Sequence, residues 1–184
     1  MRHWSVSDED IMRLVERKYS VKVTEDQIVK ARGFEYRISW KKAVEVARAI
    51  KFLTISQAES YLNDVANLKA PVPVKRFIKK QAHHNTPWEG WPVAKWPVKV
   101  AKAYLEVLEN LKNNANYRGL NVDNVVIVHA SASKGMKIRN YMPRAFGRST
   151  PWFQDTVNIE LVGVELPEAL VPKKLSWARI LKNT

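Results

Sequence analysis

Apolar positions along the chain recur with helical spacing in five stretches and with strand-like alternation in three. Ser7, with Asp10 three residues on, opens a short amphipathic helix through Ile11, Leu14, Val15 and Lys18, which reads as an N-terminal appendage. Thr24 with Gln27 repeats the capping pattern, and Ile28 and Ala31 ahead of Gly33 predict a helix of two turns stopped by the glycine. Phe34 to Ile38 alternates as a short strand. Ser39 then precedes a helix with Trp40, Val44, Ala47 and Ile50 on its apolar face, and Thr54 with Gln57 opens another that carries Ala58, Tyr61, Leu62, Val65 and Leu68.

Pro71 and Pro73 end the helical pattern, and the stretch to Trp96 reads as a long loop rich in Pro, Trp and cations. Pro97 suits the first turn of a long helix with Ala101, Tyr104, Leu105, Leu108, Leu111 and Ala115 on one side, closed by Asn116 to Gly119. Val125–Val128 and Thr156–Val164 are β-branched runs that predict an antiparallel pair. The 27 residues between them predict arms of roughly 14 residues past the sheet, about 45 Å at ~3.3 Å per residue. One arm reads His129-Ala-Ser-Ala-Ser-Lys-Gly-Met-Lys-Ile-Arg139, small and basic where a buried strand would be bulky and apolar. A two-stranded ribbon of this kind is marginal in water, so contacts outside the chain must hold it.

Composition narrows the partner. With 31 Lys and Arg against 18 Asp and Glu, the 184 residues carry a net charge of +13, a field suited to nucleic acid or an anionic membrane. The segment from Asn124 to Gln154 contains five cations and no acid. No apolar run approaches the ~18 residues of a membrane span, and the first residues lack the order of a signal peptide, which predicts a cytoplasmic protein without membrane insertion. The absence of Cys removes disulfides, thiol nucleophiles and thiolate metal sites.

The cations fall into sets. Arg37, Lys41 and Lys42 flank the start of the first body helix, where free amides also favour phosphate. Lys75, Arg76, Lys79 and Lys80 cluster on the long loop, Lys134, Lys137 and Arg139 lie on one hairpin arm, and Arg144 and Arg148 bracket the turn. Tyr141, Phe146 and Trp152 interleave with the arginines, as stacking on unpaired bases requires; the alternative for Phe146 and Trp152 is packing across the hairpin. His83-His84 has no Cys or Asp nearby to complete a metal site, and Glu89 has no second carboxylate for acid/base work. Trp88, Trp91 and Trp96 read as a hydrophobic plug. No catalytic residue, metal or cofactor is expected.

The motif Tyr141-Met-Pro-Arg-Ala-Phe-Gly-Arg-Ser-Thr150 resembles the tip of the universal large-subunit ribosomal protein L-twenty-two family, in its archaeal and eukaryotic form. Tyr36-Arg-Ile-Ser39, Ala70-Pro-Val-Pro-Val-Lys-Arg76, Gly90-Trp-Pro92, Trp96-Pro-Val-Lys-Val-Ala-Lys102, Asn113-Asn-Ala-Asn-Tyr117, Gly119-Leu120 and Ile127-Val-His129 extend the likeness across Tyr19 to Glu165. Ala82-His-His-Asn-Thr86 departs from the Gly-His-Arg-Arg-Gly-like run of archaeal relatives, which lowers the charge there.

The resemblance implies an α+β fold, a small antiparallel sheet packed by three main helices, with a long protruding β-hairpin at about 129–156. Residues 1–18 and 167–184 are then extensions of a domain spanning 19–166. It also implies a structural, non-enzymatic role in the large ribosomal subunit, with large-subunit rRNA, neighbouring ribosomal proteins and the nascent polypeptide as partners. Met142, Pro143, Arg144, Ala145, Phe146 and Gly147 would line the exit tunnel, and Tyr141, Ser149 and Thr150 would join the cations on rRNA. The competing reading is a free-standing RNA-binding factor or RNA chaperone; a membrane-surface role would need a basic amphipathic helix with a large apolar face, whereas the densest charge lies in loop and hairpin.

Overall fold

The structure, a computed structural model, describes residues 4–88, 90–172 and 180. Helix α1 (Asp8–Tyr19) starts where the sequence predicts: the Ser7 hydroxyl accepts the Asp10 amide, acids fill the first turn, and Ser20 closes the helix at φ 56°. The second capping box also forms, with the Thr24 amide donating to Gln27 Oε1 at 3.1 Å, but it closes only a 3-10 turn over Glu25–Gln27. The two-turn helix expected through Gly33 is instead strand β1 (Ile28–Tyr36), which absorbs the short strand expected from Phe34. A β-branched Ile28–Val29 pair followed by alternating small and charged residues suits a pleated edge better than a helix.

Helix α2 (Trp40–Ile50) buries Ala43, Val46, Ala47 and Ile50, whereas Val44, expected inward, is only half-buried. In α3 (Ile55–Ala66) Thr54 Oγ1 accepts the Gln57 amide at 3.2 Å, and the expected inner face forms, except that Leu68 lies beyond the helix at φ 62° and is exposed. Strands β2 (Val72–Pro73) and β3 (Ala94–Lys95) pair across the long loop; Trp88 and Trp91 pack on the main core as the plug reading predicts, whereas Trp96 is half-buried outside it. Glu89 lies outside the described residues. Helix α4 (Val98–Tyr117) ends at Gly119, φ 73°.

Strands β4 (Val125–Ile138), β5 (Tyr141–Pro143), β6 (Ser149–Pro151) and β7 (Gln154–Glu165) complete the chain's α+β fold. The antiparallel sheet runs β1–β7–β4, so the C-terminal strand is central. One face, through Val125, Ile127, Ile159 and Leu161, packs on α2, α3 and α4, with Ile180 buried in the same core. On the other face, Ile11 and Val15 of α1 are buried against Val126, Val128, Val162 and Val164, each burial worth roughly 1.5–3 kcal/mol. The Ser5 amide donates to Glu160 Oε2 at 3.0 Å, and Asp8 pairs with Lys30 of β1, so the N-terminal segment is tied to the sheet by polar contacts as well.

His129 sits beside this junction, with Nε2 3.3 Å from Ser5 Oγ. Burial first, and then the nearby Lys51 ammonium, hold its imidazole below the usual histidine range, while Glu160 pulls the other way. The unfolded chain therefore takes up this proton at higher pH than the folded one, and stability that is complete above about pH 6.5 falls as pH drops through the depressed folded value. Thermal melts between pH 7 and 5 should show this decline, and His129→Gln should flatten it; equal slopes in the two proteins would refute the assignment.

Candidate nucleic-acid interface

β1 leaves the sheet at Tyr36, paired with Val157, and β4 follows β7 alone from there. The sheet thus holds β4 as far as Lys134, and the free ribbon is shorter than expected: Gly135 to Thr156, arms of about 10 residues or ~33 Å. A register shift between Lys134 and Lys137 marks its base, where the Thr156 hydroxyl donates to Met136 O at 2.7 Å. Gly135 is required there, since a Cβ would lie 2.5 Å from Thr156 Oγ1. Beyond the base, the ladder continues through Ile138–Gln154 and Tyr141–Pro151 to Pro143–Ser149.

No residue from Ser133 to Gln154 is buried. At the tip the Arg144 amide donates to Arg148 O at 2.7 Å, and Phe146 and Gly147 both take left-handed φ, 58° and 66°. A left-handed phenylalanine costs roughly 1–2 kcal/mol, and this one is 94% exposed, so nothing in the chain repays the strain. Packing across the hairpin is excluded for Phe146, and Trp152 is also mostly exposed at 59%. Tyr141 does meet a cross-strand ring, Phe153, edge-on at 5.8 Å, yet remains exposed. Arg144 Nε donates to Thr150 Oγ1 at 3.0 Å, an exposed bond that ties the guanidinium to the returning strand. The arm is not wholly without an acid partner: Asp155, one residue past the acid-free segment, lies 3.9 Å from Lys137 Nζ in a half-exposed pair of little energetic weight. Arg139 and Arg148 are exposed on the ribbon, as are Ser149 and Thr150.

Where the ribbon meets the body, two clefts of about 370 and 550 Å³ share Ser39, Lys41, Lys42 and Pro97. The larger adds Arg37, Lys99 and Phe153; the smaller adds Arg76, Lys79 and Lys95. The starts of α2 and α4 converge here. Neither helix has an acid in its first turn or a side-chain cap, and Lys41, Lys42 and Lys99 stand where α1 places acids. Cations at a helix N-terminus oppose the macrodipole at roughly 0.3–1 kcal/mol each, so this arrangement is unfavourable alone and favourable around an anion. An aromatic layer joins the parts: Lys134 Nζ lies 4.6 Å over Trp40, Trp40 meets Phe77 edge-on at 5.1 Å, and Arg76 sits 5.6 Å from the Phe77 ring.

Of the twelve predicted cations the structure gathers five, Arg37, Lys41, Lys42, Arg76 and Lys79, around the paired clefts, with Lys134 beside them over Trp40 and the other hairpin cations spread along the ribbon. Lys75 is half-buried, 5.7 Å over Trp91, and neither it nor Lys80 lines either cleft. Sequence reasoning missed Lys95 and Lys99, although their places beside Pro97 at the start of α4 gave the signal. It also missed Glu45, because a carboxylate inside a helical apolar stripe has no periodic signature. His84 packs edge-on against Trp96 at 5.2 Å, and no cluster of three metal-ligating side chains occurs among the described residues. No helix among them is long and apolar enough to cross a membrane.

Comparison with known proteins agrees with this architecture. The family model described as Ribosomal protein L22p/L17e matches residues 31–163. The chain is 72% identical over 182 residues to the large ribosomal subunit protein uL22 of Caldivirga maquilingensis, covering 99% of this chain and 98% of that one. It is 64% identical to the uL22 of Pyrobaculum aerophilum, over 93% and 92% of the two chains, and 50% identical to that of Archaeoglobus fulgidus, over 75% and 88%. A tip motif on an unburied basic ribbon, an α+β body behind it, and likeness over nearly the whole length lead to one conclusion: the chain belongs to the ribosomal protein L22p/L17e family.

Proposed function

We propose that the chain is a structural, non-enzymatic constituent of the cytoplasmic large ribosomal subunit that binds large-subunit rRNA. The observation that carries this reading is the ribbon from Ser133 to Gln154, which buries none of its side chains, holds five cations and displays strained or exposed aromatics at its tip. A surface with that composition gains its ordering free energy only from a polyanion with unpaired bases. The relatives named as large-subunit proteins support the same assignment.

In this reading the body docks phosphates through Arg37, Lys41, Lys42, Arg76 and Lys79 at the paired helix starts, with Lys75 and Lys80 on its margin. Lys134, Lys137 and Arg139 track the backbone along the arm, and Tyr141, Arg144, Phe146, Arg148, Ser149 and Thr150 engage rRNA at the far end. Met142 to Gly147 lines the nascent-peptide exit tunnel, and neighbouring large-subunit proteins meet the remaining surface. Mechanism here is positioning: cations neutralise phosphates, and rings hold bases apart.

Sedimentation on sucrose gradients tests the assignment. The endogenous protein should comigrate with large subunits and stay there through a high-salt wash. A free pool, or release by salt, would overturn it in favour of a transient RNA-binding factor.

A further inference from the structure

Glu45 stands inside the smaller basic cleft on the second turn of α2, 2% exposed, among Lys41, Lys42, Arg76 and Lys79. A carboxylate in that position subtracts charge from a surface that needs it for RNA. Its hydrogen bonds explain the placement. Glu45 Oε1 accepts the amides of Arg76 at 2.9 Å and Phe77 at 3.0 Å, and Oε2 accepts that of Lys75 at 3.2 Å. Three successive backbone donors thus close on one side chain, a concave arrangement of the kind that otherwise grips a phosphate oxygen.

The consequence reaches past the loop. Fixing residues 75–77 sets Phe77 against Trp40, and Trp40 in turn carries Lys134 at the base of the ribbon. The same anchor fixes the backbone from which Arg76 enters the cleft opposite Lys41 and Lys42. Without it, the segment ending at Lys80 has no regular structure to hold it, since it lies between the short strands β2 and β3. A flexible cationic loop binds RNA less well than a set one, because its ordering must be met at the moment of binding.

We infer that Glu45 is a positioning residue for rRNA: an internal carboxylate that occupies the loop's own anion cradle and so presets Arg76 and Lys79 toward the phosphates. The inference rests on the rRNA-binding reading above. It makes an expectation opposite in sign to simple electrostatics, under which removing an acid from the cleft tightens binding.

The test is binding of transcribed large-subunit rRNA to the full chain, measured by filter retention across a salt series for wild type, Glu45→Gln and Glu45→Ala. Glutamine keeps one acceptor oxygen for the Arg76 and Phe77 amides, so its loss is smaller. Glu45→Ala should bind about tenfold more weakly and Glu45→Gln about threefold, with a shallower salt dependence as Arg76 and Lys79 drop out of register. A purely structural role would leave the salt slope of the folded variant unchanged. Hydrogen exchange supplies a readout independent of affinity: the Lys75 amide, which loses Oε2, should exchange faster in Glu45→Gln, and the Arg76 and Phe77 amides as well in Glu45→Ala. Wild-type binding with equal or tighter affinity in both variants, or an unchanged slope in folded Glu45→Gln, would overturn the inference alone. Absence of salt-sensitive binding by the wild type would overturn the rRNA reading with it.

Discussion

Replacing Gly135–Thr156 with a two-residue Asn-Gly turn is expected to leave a folded body that binds rRNA at least about a hundredfold more weakly. Lys134 and Val157 face each other across β4 and β7, so a two-residue hairpin turn can join them without strain. The excised ribbon contains one buried residue, Thr156, and its hydroxyl bonds to Met136, which leaves with it. The melting transition should therefore move little, by about 1 kcal/mol or less. Four cations go: Lys137, Arg139, Arg144 and Arg148. At ~0.7–0.9 counterions per phosphate contact, the slope of log affinity against log salt should fall by about three, and loss of base stacking removes roughly 1–3 kcal/mol per ring. An affinity within about threefold of the wild type would mean that the body alone carries RNA binding.

The largest stability effect is expected at Gly163, in the centre of the sheet. A Cβ there would stand 2.6 Å from Val125 Cγ1 and 3.1 Å from Val29 Cγ1, with Leu111 of α4 at 3.6 Å. These neighbours come from both flanking strands and from the helix that covers them, and all are buried, so none can turn outward. Gly163→Val should destabilise by about 3 kcal/mol, near the upper end for overpacked cores. For a chain of this length that lowers the melting temperature by roughly 10 °C, which calorimetry would detect. A transition within about two degrees of the wild type would show that α4 rides on the sheet more loosely than the structure indicates.

What the sequence made legible follows from how local each signal is. Ser7, Thr54 and Pro97 stop or start helices through bonds and sterics within one turn, and all three boundaries occur where the residues predict. Ile28–Gly33 was misread because a capping box describes only its own turn; the strand that follows is decided by pairing with β7, more than a hundred residues away. The same non-locality hid the length of the free ribbon, since the sheet's edge is set by where β1 ends at Tyr36. At the candidate site, the tip was legible because its residues are contiguous and cannot be explained by burial. The convergence of the α2 and α4 starts, and the role of Glu45, arise only when segments distant in sequence meet.

The central claim is that the ribbon is completed by rRNA, and amide hydrogen exchange over Ser133–Gln154 tests it most directly. In the free chain these amides should exchange far faster than those of Val125–Ile127 and Ile159–Leu161, because none of the ribbon's side chains is buried. In purified large subunits the same segment should become protected, with Tyr141 to Thr150 slowed as strongly as the sheet. Equal exchange in the free and assembled protein would contradict the account, as would a tip already protected when the chain is alone.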